Sequence, residues 1–301
     1  MRSAAHLEAI LAHLRDQWHA LVKTDNLLGP RFALTGVLNQ LLVVEALLSQ
    51  VRVQHRDPVL RLAARYAESA AWLYEDSGDL VRSGQWTDRA MAWAYEADDR
   101  VMVAWAMFRR SQQAADGGRG DEVVGLARAA RRQEHRLPES MRAAIRVQEA
   151  YGHAVNGEPT ATHQLLDQAH TWAAQDTAGD ARTGHGSYCT SGYIELQRAS
   201  CLLALDQPGR AVHLFERALP TLPVVYQRDR AAALSRMAAA FAALGQPEQA
   251  AATAASALST ARTAGSRRVE AQIRQVAHTV ARHRHLPPVD ELLHDLQRPE
   301  S

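Results

Sequence analysis

The chain has 301 residues, with 34 Lys and Arg against 33 Asp and Glu. A formal charge of +1 leaves no electrostatic footprint for nucleic acid or an anionic membrane. Hydrophobic residues make up 47% and charged residues 22%, the ordinary balance of a soluble protein with a core. Lys23 is the only lysine, so Schiff-base chemistry would have to use it.

In chain order, residues 6–22 read as a first helix with Leu7, Ile10, Leu11 and Leu14 on one face. Thr24-Asp25-Asn26 and Gly29-Pro30 are expected to break it. A second helix is expected over 31–53. Its apolar stretch from Phe32 to Val51 carries Asn39, Gln40 and Glu45 and reads as a buried amphipathic helix rather than a membrane span. Asp57-Pro58 opens a third helix, with Asp57 as the expected cap. Helix pairs then follow: 58–77 with 79–97, 100–116 with 120–135, 139–156 with 159–174, 189–205 with 208–220, 226–244 with 247–264, and 266–284 with 288–297. Between the third and fourth pairs, the polar, Gly-containing stretch 175–187 reads as a loop, and loops of that length are often functional or mobile.

The breaks recur. Gly78 to Gly118 is 40 positions, Gly118 to Gly157 is 39, and Asp206 to Gly245 is 39. A helix-breaking turn at this period marks stacked helical hairpins. In 226–264, Leu234, Met237, Ala238 and Phe241 form the stripe of the first helix, and Ala250, Ala254 and Ala257 that of the second. This spacing resembles the tetratricopeptide consensus, in which large residues meet a small-residue face and the helices cross closely. The expected fold is all-α: a right-handed, TPR-like solenoid of about seven hairpins in one domain. Residues 1–57 would form an N-terminal cap, 58–264 the repeats and 265–301 a C-terminal cap.

Carrying that register back places charge where leucine is expected. Arg110, Arg146, Glu149, His153, Glu195 and Arg198 fall on the stripe. One reading makes Arg146–Glu149 and Glu195–Arg198 local pairs three apart on a helix. The other makes all six line a polar concave groove, with Trp72, Trp105, Gln112 and Tyr193 as further ligand contacts. Arg would hold a carboxylate or phosphate there, and Glu an amine. If the groove were an active site, Glu149, His153 and Glu195 would be its proton-transfer groups.

Other chemistries lack their parts. None of the 14 histidines forms His-Glu-x-x-His. His283 and His285 do not share a helical face, and His163 with His170 has no third ligand nearby, so no metal or cofactor is expected. Gly184-His185-Gly186-Ser187 is not a nucleophile elbow, because neither the Gly-x-Ser-x-Gly spacing nor a preceding strand is present. Cys189 and Cys201, twelve apart in one predicted helix and so roughly 18 Å apart, are too distant for a disulfide and read as buried thiols. No secretory signal opens the sequence, and a cytoplasmic location is expected.

Several phrases carry a family resemblance: Thr24-Asp25-Asn26-Leu27-Leu28-Gly29-Pro30, Arg65-Tyr66-Ala67-Glu68, Trp86-Thr87-Asp88-Arg89-Ala90, Tyr188-Cys189-Thr190, and Arg228-Asp229-Arg230 with Glu248 to Ala251. Over about residues 20–297 the chain resembles the tetratricopeptide-type sensor region of actinobacterial Xre-family transcriptional regulators. The resemblance implies ligand sensing and dimerisation or a regulatory protein partner. It departs from the family in having no helix-turn-helix before the repeats, so no direct contact with nucleic acid is expected. The expected function is a regulatory module binding a small molecule or peptide. The alternative is an enzyme of a specialised-metabolite pathway built on the same groove.

Overall fold

The computed structural model describes residues 4–298. Residues 1–3 and 299–301, the extreme ends of the two expected caps, lie outside the described residues. The described chain is all-α, with fourteen helices and a single isolated β-bridge between Ala174 and Thr190. They are α1 (Ala4–Leu28), α2 (Pro30–Gln50), α3 (Arg56–Asp76), α4 (Leu80–Glu96), α5 (Arg100–Asp116), α6 (Gly120–Ala130), α7 (Glu139–Val155) and α8 (Pro159–His170). Then follow α9 (Ser191–Ala204), α10 (Pro208–Ala218), α11 (Gln227–Ala243), α12 (Pro247–Thr263), α13 (Arg267–Val280) and α14 (Pro287–Asp295).

The recurring turn has a local cause. Gly78, Gly118, Gly157, Asp206 and Gly245 all adopt left-handed backbone, with φ between 55 and 84°. In each case the next N–H reaches back to a carbonyl five residues earlier: Asp79 to Tyr74, Arg119 to Ala114, Glu158 to His153, Gln207 to Leu202 and Gln246 to Phe241. This bond satisfies a carbonyl that the helix end would otherwise orphan and reverses the chain into the next helix. Glycine adopts that conformation without the Cβ clash other residues meet, which explains four of the five positions.

Each helix packs on its sequence neighbour, and the odd-numbered helices also touch one another in series from α1 to α13. The odd helices therefore form an inner layer and the even ones an outer layer. Alanine makes the close approach possible: Ala250, Ala254 and Ala257 of α12 are fully buried against α11. The two ends of the chain also meet, with α13 packing on α3 and α11 on α1. At this junction Gly29 has φ 90°, and a Cβ there would lie 2.2 Å from the Ala264 carbonyl oxygen.

Three local expectations are corrected. The first helix does not break at Thr24-Asp25-Asn26 but runs on to Leu28. Asp25 and Asn26 find distant partners, described below, and tertiary contacts outweigh the local turn preference. Asp57 is not the cap of α3 but sits in its first turn, after His55. Cys189 precedes α9 rather than belonging to it; it and Cys201 are free and buried, and burial pushes both thiols up. Among the described residues one helix, Pro30–Gln50, is long and apolar enough to cross a membrane, and a third of its apolar span is buried. Its buried side carries Val37, Leu41 and Val44, while Phe32, Leu42 and Val43 stay exposed.

Candidate functional site

The inner layer surrounds a cavity of about 940 Å³. Every odd helix from α1 to α13 contributes to its wall, as does the long segment between α8 and α9. That segment folds inward rather than looping into solvent. Asn26 Nδ2 donates to the Gly179 carbonyl (2.7 Å), His19 Nδ1 to that of Asp180 (2.8 Å) and Ser140 Oγ to that of His185 (2.8 Å). These bonds tether it to α1 and α7 and bring His185, Ser187 and Tyr188 onto the cavity wall.

One end of the wall is a buried ionic junction between the two ends of the chain. Arg228 of α11 meets Asp25 of α1 (2.6 Å) and Asp76 of α3 (2.7 Å), and Ser266 Oγ donates to Asp76 (2.6 Å). Arg268 stands 3.4 Å from Asp76. Asp76 is fully buried and Arg228 only 6% exposed. Burial works against the Arg228 charge, but Asp25 and Asp76 overcome it and hold the guanidinium above its ordinary value. Trp72 sits at the centre of this cluster. Its indole N–H donates to Asp25 (3.2 Å), and the guanidinium carbons of Arg109, Arg228 and Arg268 lie 4.7, 5.0 and 5.4 Å from its ring centroid. Arg109 is itself held by Glu68 (2.7 Å) and Gln112 (2.7 Å).

A second part of the wall is aromatic and less fully satisfied. Trp105 stacks on His185 at 5.1 Å, and Tyr188 meets Tyr193 edge-on at 5.1 Å. Trp105 Nε1 and His185 Nε2 are buried without hydrogen-bond partners. Burial, reinforced by Arg65 and Arg109, pushes the His185 imidazole down to about 3, so the ring is neutral at physiological pH. Asp229 of α11 faces the same space. Burial raises its carboxyl, while Arg228 and Arg268 pull it back.

Of the ten residues expected to line a groove, Trp72, Trp105, Gln112 and Tyr193 lie on the cavity wall. The six charged ones do not, which corrects the placement expected for them. Glu149 is held by Arg131 (2.6 Å) and Arg128 (3.0 Å), and His153 by Glu158. Arg146 meets Glu134 (2.9 Å) and Gln168 (3.0 Å). Glu195 meets His170 (2.6 Å) and Arg198 (3.0 Å), Arg198 meets Asp167 (2.7 Å), and Arg110 pairs with Asp88. The Glu195–Arg198 local pair thus forms and an Arg146–Glu149 pair does not. These side chains lie between inner and outer helices. Successive residues on a helix differ by about 100°, so Gln148 and Tyr151 face the cavity while Glu149 faces α6.

Asp25, Tyr188, Arg228 and Asp229 line the cavity without having been expected there. Each stands in one of the short phrases quoted in the sequence analysis. Among the described residues no group of three His, Cys, Asp or Glu side chains is arranged to hold a metal ion. No protein-family model matches the chain, and no curated protein matches it in sequence.

Proposed function

We propose that this chain is a ligand-binding regulatory module whose central cavity takes a small organic molecule or short peptide. The observation that carries this reading is the 940 Å³ cavity itself, walled by Trp72, Trp105, His185, Tyr188 and Tyr193 together with polar and charged side chains such as Gln112, Gln148 and Arg236. The volume lies near the upper end of the usual ligand-site range, and aromatic faces beside polar groups can fix the orientation of a ligand. In this reading the helical hairpins form a right-handed, TPR-type solenoid of about seven repeats, related to Xre-family sensor regions. Seating a ligand between α3, α5, α9 and α11 would bias the junction where the chain ends meet, and with it any surface offered to a second copy or a regulatory partner. Glu149, His153 and Glu195 lie outside the cavity wall, each held by other side chains, so an active site in the cavity could not use them.

Native mass spectrometry of the protein purified from its own host tests the reading. A bound small molecule is expected on the wild type. It should be absent from an Ala232→Trp variant, whose new indole would fill the cavity beside α11 while the helical circular dichroism persists. A wild-type protein that carries nothing, or an adduct that survives in the filled variant, would refute it.

A further inference from the structure

Three successive helices of the inner layer each place one glutamine on the cavity wall: Gln112 on α5, Gln148 on α7 and Gln197 on α9. Each spends one half of its carboxamide on the protein. Gln112 Oε1 accepts from Arg109 (2.7 Å), Gln148 Nε2 donates to the Ser111 carbonyl (3.1 Å), and Gln197 Oε1 accepts from Arg236 (3.3 Å). Those partners fix which way each amide is turned, because a guanidinium only donates and a carbonyl only accepts. The other halves make no hydrogen bond among the described residues, so α5, α7 and α9 offer a donor, an acceptor and a donor in that order. The three helices pack on one another in series. Packed helices stand about 8–10 Å apart, so the array spans roughly 16–20 Å, the reach of about five or six extended residues.

A second, independent observation lies on the same wall. Trp105 of α5 is 3% exposed and lines the cavity, yet its indole N–H has no acceptor. Gln272 of α13, another wall residue, leaves its buried Oε1 without a donor. Buried polar atoms are nearly always satisfied, and orphans on a cavity wall point to a group that comes from outside the chain. The ionic junction offers no such remainder, since Arg109 holds Glu68, and Arg228 holds Asp25 and Asp76. What these five glutamine and tryptophan side chains leave over is neutral hydrogen-bonding capacity of both senses: Gln112, Gln197 and Trp105 have donors to give, Gln148 and Gln272 acceptors. A peptide unit carries one donor, one acceptor and no charge, so a chain of them matches this mixture. A carboxylate brings acceptors only and an ammonium group donors only.

Resting on the cavity-binding reading above, we infer that the ligand is a short extended peptide held through its main chain, with Gln112 and Gln197 donating to two of its carbonyls and Gln148 accepting from one of its N–H groups. The test mixes the full chain with a pool of randomised pentapeptides, N-acetylated and C-amidated so that no terminal charge remains. Peptides that co-elute with the protein in gel filtration are identified by mass spectrometry. The most abundant is then resynthesised with an N-methyl group at each residue in turn, and binding is read from tryptophan fluorescence. Peptides are expected to be retained. N-methylation at one internal residue should weaken binding about tenfold in the wild type and scarcely at all in Gln148→Leu. Gln197→Met should weaken the unmethylated peptide about tenfold. Ser200 still accepts from Arg236 in that variant, so it keeps the test decisive where Gln148→Leu fails to fold. Tolerance of N-methylation at every position, or wild-type affinity in Gln197→Met, overturns main-chain recognition. If no peptide is retained while the protein from its own host carries another kind of molecule, the peptide inference falls and the cavity reading stands. If the host protein carries nothing either, both fall.

Discussion

Two sets of ion pairs use the same residue types and do different work. The inner set joins Arg228 to Asp25, 203 positions away in sequence, and to Asp76. The outer set joins Glu149 to Arg128 and Arg131, and Arg198 to Asp167, between 18 and 31 positions away. Outer pairs join one hairpin to the next, and two of their members, Arg128 and Asp167, are well exposed. Inner pairs close the ends of the chain on each other and are shielded from water. Burial depth and sequence distance, not charge content, separate a junction that governs the whole shape from one that tunes a neighbouring contact.

The largest effect should come from breaking the inner set. Arg228→Met removes the cation shared by two buried carboxylates and is expected to destabilise the protein by about 3–5 kcal/mol. Urea denaturation measures the loss. Hydrogen exchange should show α1 and α11 opening together, because that residue ties them. Normal protection at that seam would mean the pairs only decorate a contact held by packing. A smaller effect is expected at the same junction from Gly29→Ala. The new Cβ meets the Ala264 carbonyl oxygen, and the backbone there is left-handed, so a loss of about 2 kcal/mol is expected. An unchanged melting temperature would show that the ends can part slightly without penalty.

The contrast also explains what could be read in advance. The hairpin turns were legible because their cause is local: a left-handed residue and a back-bond five positions long, repeated near every forty residues. The alanine stripe of α12 was legible for the same reason. The cavity wall was only half legible. Trp72, Trp105, Gln112 and Tyr193 were picked by residue type, but the charged candidates followed a stripe that faces the outer layer. A shift of one residue turns a side chain from α6 toward the cavity, and repeat spacing does not fix which face points inward. Asp25 stood in an apparent turn, and nothing within a helical window reveals a partner 203 positions later.

The smallest effect belongs to the outer set, and pH separates it from the inner wall. Burial raises the Glu149 carboxyl, yet hydrogen bonds from Arg131 and Arg128 win and hold it below its ordinary 4.5. As pH falls, the unfolded chain takes up that proton first, so the stabilisation from Glu149 is present above 4.5 and lost below it. His185 behaves alike in a higher window. Its folded value of about 3 lies under the ordinary 6.5, so stability declines as pH falls from 6.5 toward 3, by at most about 1.4 kcal/mol per unit. The ring is only half-buried, which reduces that slope. Glu149→Gln should therefore cost about 1 kcal/mol at neutral pH, since Arg128 is largely exposed. It should flatten the stability profile below 4.5 and leave the decline between 6.5 and 4.5 intact. Denaturation midpoints measured across that range decide the matter. If the variant also lost the upper slope, the outer pairs and the cavity wall would be one coupled network, and the separation argued from burial and sequence distance would fail.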